Sequence, residues 1–258
     1  MNPIIKYPGG KRQEIKYFEK YIPKNFNRYI EPFVGGGALF FYLEPEKSII
    51  NDLNSNLMQF YKDITTKKEQ IIKELKEMEN TEEYYYYIRD MYNGKTERKF
   101  LTSSMFFYLN RTAYSGMSRY NSKGEFNAPF GNYKNYHPWD FITEEASNLL
   151  KKAKMYNCDF KEIFKLVQSN DFVFLDPPYE TNFKNYTKYG FSEEDHIRLL
   201  NCFKNSKGKC LAVIGDHGII RELYKDYIKD EFEKKYSSNA RYQHQNNNVS
   251  KHLIITNY

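Results

Sequence analysis

The sequence predicts an α/β protein whose core is assembled from the two ends of the chain, with a mostly helical insert between them. Three observations predict this. Short apolar runs of strand length occur before residue 55 and again after residue 155: Tyr29-Ile30, Ser48-Ile49-Ile50, Phe172-Val173-Phe174-Leu175 and Cys210-Leu211-Ala212-Val213-Ile214. Three motifs stand directly behind such runs, where open α/β sheets carry their ligands. Residues from about 54 to 111 instead follow a helical pattern.

The elements follow in order. Tyr29-Ile30 runs through Glu31-Pro32-Phe33-Val34 into Gly35-Gly36-Gly37, then Ala38-Leu39-Phe40-Phe41-Tyr42-Leu43; this reads as strand, glycine loop and helix. The second strand ends at Asn51-Asp52. The helical stretch breaks near Asn93-Gly94. Over residues 112–136, Gly116, Gly124 and Gly131 punctuate short polar and aromatic runs, which suggests a hairpin or a long loop. Residues 192–205 read as a helix with Ser192 as N-cap and Glu193, Glu194 and Asp195 in its positive first turn. Leu253-Ile254-Ile255 supplies a closing strand.

Composition narrows the function. The 258 residues suit one large domain or a core with a smaller insert, and 40% hydrophobic with 28% charged residues suits a globular chain rather than a disordered one. No apolar run approaches the roughly 20 residues of a membrane span, and Met1-Asn2-Pro3-Ile4-Ile5-Lys6 lacks a signal-peptide core, so a cytoplasmic protein is expected. Cys158, Cys202 and Cys210 form neither a CxxC pair nor a Cys/His cluster; no disulfide framework and no metal site are expected. The net charge of +6 is unevenly spread. Residues 1–30 hold seven basic against two acidic groups, residues 31–83 six against eleven, and residues 84–136 eight against three. Two basic stretches flanking an acidic one suit a polyanion partner.

The chemistry lies at the strand ends. Consecutive glycines let the chain turn sharply and let a ligand come close. The spacing is not that of a dinucleotide fingerprint, and Glu31 before the loop would repel a pyrophosphate and suits an amino group. Asp52 stands where a carboxylate can accept from ribose hydroxyls. Asp176-Pro177-Pro178-Tyr179 leaves its strand as a stiff extended segment, because each proline fixes φ and restricts the residue before it. The Asp176 carboxylate and the Pro177 carbonyl can then act as two fixed acceptors beside the flat face of Tyr179. That suits a planar amine such as a nucleobase amino group.

These motifs, in this order, resemble the Dam-type (D12 class, alpha group) DNA adenine-N6 methyltransferases from Ile4 onward. Lys6-Tyr7-Pro8-Gly9-Gly10-Lys11 resembles their N-terminal cofactor motif, residues 29–41 their glycine-rich motif and Asn51-Asp52 the acidic motif after it. Residues 109–121 and 124–131 resemble their target-recognition segment, and Asp159-Phe160 and Asp176-Pro177-Pro178-Tyr179 complete the set. The resemblance implies a Rossmann-like methyltransferase core (residues 1–55 and 155–258) that uses S-adenosyl-L-methionine. It implies a target-recognition insert (residues 56–154) carrying a β-hairpin loop.

The resemblance implies cofactor contacts at Tyr7, Lys11, Glu31, Phe33, Gly35, Gly36, Gly37, Asp52, Asp159, Phe160 and Asp176. It implies catalytic contacts at Asp176, Pro177, Pro178 and Tyr179, and DNA contacts at Lys6, Arg111, Tyr114, Ser115, Met117, Arg119, Asn121 and Pro129. Relatives often carry Asn where Ser115 stands, so base flipping would lean more on Tyr114. The segment around Met117 and Arg119 resembles members that methylate adenine in GATC. Double-stranded DNA is the implied partner, met by a monomer or by a dimer on DNA. Methylation of an RNA base or of a protein glutamine amide, or a DNA-binding module without activity, are the alternatives. Restriction–modification, repair marking and phage self-protection share this chemistry.

Overall fold

The computed structural model describes residues 1–7, 9–178, 191–235 and 249–258. The first part of the chain forms helix α1 (Ile15–Phe18), strand β1 (Tyr29–Glu31), helix α2 (Ala38–Leu43) and strand β2 (Ser48–Asn51). Helices α3 (Ser55–Glu77), α4 (Glu82–Tyr92), α5 (Thr102–Thr112) and α6 (Glu144–Lys152) come next. Strand β3 (Ala153–Tyr156), helix α7 (Phe160–Phe164), strand β4 (Phe172–Leu175), helix α8 (Glu193–Lys204) and strand β5 (Lys209–Gly215) restore the alternation. Helix α9 (Ile220–Leu223) and strands β6 (Ile228–Lys235) and β7 (Val249–Thr256) complete the described elements.

The strands form one sheet in the order β3-β2-β1-β4-β5-β7-β6. β1 to β5 are parallel, whereas β7 runs antiparallel between β5 and β6. The order reverses between β1 and β4, so a crevice opens beyond their carboxyl ends. Tyr29 and Ile30 pair with Phe172 and Val173. The glycine loop after β1 and the Asp-Pro-Pro segment after β4 therefore leave the sheet side by side.

Period-two alternation explains the continuous apolar runs. Tyr29, Phe172, Phe174, Leu211, Val213 and Ile254 face one hydrophobic cluster, and Ile30, Val173, Leu175, Ala212, Ile214 and Ile255 face the other. The first cluster also takes in Phe60, Tyr61, Ile64 and Ile71 of α3 and Met105, Phe107 and Leu109 of α5, so those helices share their core with one sheet face. Polar side chains cap the helices of the insert: Asn54 accepts from Leu57 N–H, Thr81 from Tyr84 N–H and Thr143 from Ala146 N–H. Ser192 and Asp195 form a reciprocal capping box at α8. Among the described residues, no helix is long and apolar enough to cross a membrane.

Some elements differ from the sequence reading. β1 stops at Glu31, where Pro32 removes a donor. Residues 112–136 carry two isolated antiparallel bridges, Ala113↔Phe130 and Tyr120↔Phe126, and a 3-10 turn at Tyr114–Gly116, in place of continuous strands. Positive φ at Gly116 and Gly124 breaks the extended run. β6, with the sequence IKDEFEKK, has no apolar run because it is a charged edge strand.

Phe60 and Phe107 stack at 4.8 Å between α3 and α5, and both are fully buried. Phe107→Ala should therefore lower the unfolding free energy by about 3–5 kcal/mol, read by urea titration, because the site sits between two helices and the sheet and cannot collapse.

Candidate active site

The crevice at the reversal point is a cavity of about 450 Å³, within the size range of small-molecule sites. Its floor is the glycine loop. Gly35 and Gly37 have φ of +46° and +68°, the left-handed region that L side chains avoid. The Tyr7 ring lies directly on the loop; a Cβ added at Gly35 would meet Tyr7 Cε1 at 2.8 Å. Tyr61, from α3, donates its hydroxyl to Gly35 O at 2.9 Å.

Asp52 follows β2 and binds this loop through its carboxylate. One oxygen accepts from Gly35 N–H and the other from Asn54 N–H, each at 2.9 Å. The remaining lone pairs stay at the cavity wall, which Asp52 lines. Burial pushes its carboxyl above the usual range, and those two N–H groups oppose the shift. Its neighbour Asn51 is buried and sews three strand ends together. Its amide donates to Pro32 O at 2.9 Å and to Cys158 O at 3.0 Å and accepts from Cys158 N–H at 3.0 Å. The sequence places Asn51 at a strand end but carries no signal for that staple.

Glu31 lies on the inner wall, 2% exposed, with the Tyr29 hydroxyl donating to it at 2.8 Å. Burial drives its carboxyl well above the ordinary value; Tyr29 opposes this, and the charges of Asp176 and Asp52 add to it. Asp176, one residue past β4, is 21% exposed at the cavity and meets the Lys11 ammonium at 2.9 Å. Lys11 is itself fully buried, with Glu14 at 3.9 Å on its other side. Burial raises the Asp176 carboxyl, and the Lys11 charge holds the shift back. Pro177 and Pro178 line the cavity beside it, while Tyr179 lies outside the described residues.

Phe33, Phe160 and Phe191 form an aromatic cluster on the cavity wall, with Phe33 5.4 Å from Phe160 and 5.7 Å from Phe191. Asp159 caps α7 and takes a guanidinium hydrogen bond from Arg198 at 2.9 Å on each oxygen. Sequence reasoning named neither Phe191 nor Arg198. An aromatic after a polar run and a basic residue in mid-helix stand out only once α8 is placed.

The residues named for DNA contact do not line this cavity, but their neighbours in the same loop do. Ser118, Tyr120 and Gly124 line it, so the 112–136 loop and the glycine loop share one space. Tyr114 is 43% exposed, and Ser115 is exposed with φ of +54°. Met117 is half-buried against the core. Arg119 donates twice to Asn127. Asn121 organises its own turn, accepting from Lys123 and Glu125 N–H at 3.0 Å, and the Pro129 carbonyl accepts from Tyr114 N–H at 2.8 Å. Lys6 lies over the Tyr133 ring at 4.0 Å, and its stem packs on Gly116. Arg111 points inward: its guanidinium lies 3.5 Å from the Phe141 ring centre, and burial lowers it to about 10.

Among known proteins, a family model described as D12 class N6 adenine-specific DNA methyltransferase matches residues 7–243. The chain is 42% identical over 263 residues to the Type II methyltransferase M.CviBI of Paramecium bursaria Chlorella virus NC1A, an alignment covering 100% of both chains. It is 36% identical over 274 residues to the Type II methyltransferase M1.LlaDCHI of Lactococcus lactis subsp. cremoris, covering 100% of this chain and 96% of the relative. Over 237 residues it is 34% identical to the DNA adenine methylase of Haemophilus influenzae, covering 86% and 82%.

Two glycine substitutions separate backbone strain from the Tyr7 contact. Gly94 has φ of +75° with nothing within 4 Å of an added Cβ, so Gly94→Ala should cost about 1–2 kcal/mol, the left-handed penalty alone. Gly35→Ala carries the same penalty plus the collision with Tyr7, and should cost at least about 1 kcal/mol more in thermal or urea unfolding. Equal losses would mean that the Tyr7 ring yields freely.

Proposed function

The chain belongs to the D12 class of N6 adenine-specific DNA methyltransferases, and on that premise we propose that it methylates adenine in GATC, with the base flipped out of the duplex into the Asp176 pocket. The observation that carries this reading is the Lys11-anchored carboxylate of Asp176, set beside Pro177 at the edge of an acidic cavity. Residues 1–55 and 155–258 would form the catalytic core and residues 56–154 the target-recognition part, acting as a monomer. The relatives named Type II methyltransferases support a restriction–modification role.

Methyltransferases of this kind use S-adenosylmethionine generally, and the cavity fits it. Glu31, Asp52 and Asp176 all have carboxyls pushed upward, which marks a negative, poorly solvated space suited to a cation. A sulfonium and an ammonium would relieve all three. Glu31 suits the ammonium and Asp52 the ribose hydroxyls, while Tyr7 and the glycine loop leave room for close approach. Phe33 and Asp159-Phe160 suit the purine. The cofactor supplies an electrophilic methyl group.

The remaining chemistry belongs to the chain. The adenine N6 lone pair is delocalised into its ring. Hydrogen bonds from the amino group to Asp176 and to the Pro177 carbonyl localise it. Both acceptors gain strength as N6 becomes positive, so they favour the transition state over the ground state. Lys11 occupies one Asp176 oxygen, which supports the other as the acceptor turned to the amine. Tyr179 would stack on the flipped base. Flipping costs a few kcal/mol, and the exposed Tyr114 on its 3-10 turn suits the wedge. Lys6 would take the first guanine of GATC, Met117 the thymine methyl and Arg119 the guanine opposite the final cytosine.

Asp176→Ala should reduce kcat at least tenfold and leave cofactor affinity within about tenfold, because the lost bond is strongest in the transition state. Asp176 must be ionised to accept, and its carboxyl is raised, so kcat should fall on the acid side at a pH above the roughly 3.9 of a free aspartate. Lys11→Met removes the charge that opposes the shift and should move that limb further up; an unmoved limb in kcat–pH profiles would detach Lys11 from Asp176.

Duplexes carrying GATC and each single base-pair replacement, assayed for methyl incorporation, test the sequence preference. Each outer G·C replacement should cost about 1–3 kcal/mol in kcat/KM. Equal rates on all of them would remove GATC from the reading.

A further inference from the structure

Arg119 is held in place before any DNA arrives, and one residue holds it. Its Nε donates to Asn127 Oδ1 and its Nη2 to the Asn127 carbonyl, both at 2.9 Å. Asn127 N–H returns a bond to the Arg119 carbonyl at 2.9 Å. The two residues thus face each other across the turn that the Tyr120↔Phe126 bridge closes.

Asn127 is itself rigidly mounted. On one side, Phe126 exchanges two hydrogen bonds with the Asn93 side chain at the end of α4, at 2.8 and 3.0 Å. On the other, the Ala128 carbonyl accepts from the buried Tyr85 hydroxyl at 2.8 Å. The return limb is therefore tied to α4 at both neighbours of Asn127.

A guanidinium has five N–H donors in a fixed plane. The Nε and Nη2 groups given to Asn127 lie on one edge. The opposite edge keeps one N–H on Nη1 and one on Nη2, parallel to each other. That edge matches the O6 and N7 acceptors of guanine in the major groove. A planar fork fixed on one edge loses less freedom when the other edge binds, and it cannot tilt to accept a different base.

We propose that Asn127 is a positioning residue for sequence readout: it clamps the inner edge of Arg119 so that the outer edge is preset for one guanine. This rests on the reading that Arg119 takes the guanine of the outer base pair.

The test is discrimination, measured as the ratio of kcat/KM on GATC to that on duplexes with an outer G·C or the central T·A pair replaced. Asn127→Ala should lower the outer-pair ratio about tenfold and leave the T·A ratio within twofold, with cofactor affinity unchanged. Asn127→Asp keeps an oxygen acceptor in place and should restore the outer-pair ratio to within about threefold of wild type. Arg119→Ala should lower the same ratio, and adding Asn127→Ala to it should change nothing more. If Arg119→Ala relaxes the outer pair while Asn127→Ala does not, or if Asn127→Ala slows every duplex alike, the clamp is overturned. If Arg119→Ala leaves discrimination intact, or no protein in the set methylates GATC, the reading beneath the clamp falls and takes it along.

Discussion

Tyr29 and Ile30 of β1 hydrogen-bond in parallel with Phe172 and Val173 of β4, although the whole helical segment separates them in sequence. Every chemical feature depends on that pairing. It brings Glu31 and the glycine loop level with Asp176-Pro177. It also places the strand-order reversal between them, so the loops on either side part and leave a crevice. Asn51, donating to the segments after β1 and β3, locks the third strand end to the same level. A cavity made this way is shaped by backbone, and its side chains need only be small or flat: glycine, proline, tyrosine and phenylalanine.

The charges follow the same logic. A fully buried ammonium is expensive unless paired, and Lys11 has Asp176 at 2.9 Å and Glu14 at 3.9 Å. Glu14 in turn meets Lys234 of β6 and lies 3.4 Å from His252 of β7, whose imidazole burial holds down to about 3 and so keeps neutral. Alternating charges thus run from the cavity edge to the antiparallel end of the sheet. Among the described residues, Glu31 and Asp52 instead meet hydroxyl and N–H donors. The described lining of the cavity thus carries more acidic than basic side chains.

Much of this was legible in the sequence, for identifiable reasons. Phe172-Val173-Phe174-Leu175 and Cys210-Leu211-Ala212-Val213-Ile214 read as strands because both faces of a central strand are buried. Ser192 read as a cap because its acidic first turn follows at once. β6 did not, since an edge strand with Lys, Asp and Glu along it lacks the apolar signal, and the short β3, Ala153–Tyr156, is only partly covered. At the site, the glycine and proline motifs stood out because few residues permit those backbones. Lys11 against Asp176, Arg198 against Asp159 and Asn127 against Arg119 did not. The first two join positions far apart in the chain, and the third is a contact across a turn that residue type alone does not reveal.

The position of β7 between β5 and β6 bears on how a ribosome delivers this molecule. Strands emerge in numerical order, yet among the described strands β6 pairs only with β7, which emerges after it. β1 and β2 likewise wait, with one edge open, through the synthesis of the long helices before β4 arrives. A nascent chain therefore carries unpaired apolar edges for much of its translation, and loops spanning many residues must close before the sheet is continuous. Those open edges are the surfaces where mispairing competes with folding until the sheet closes.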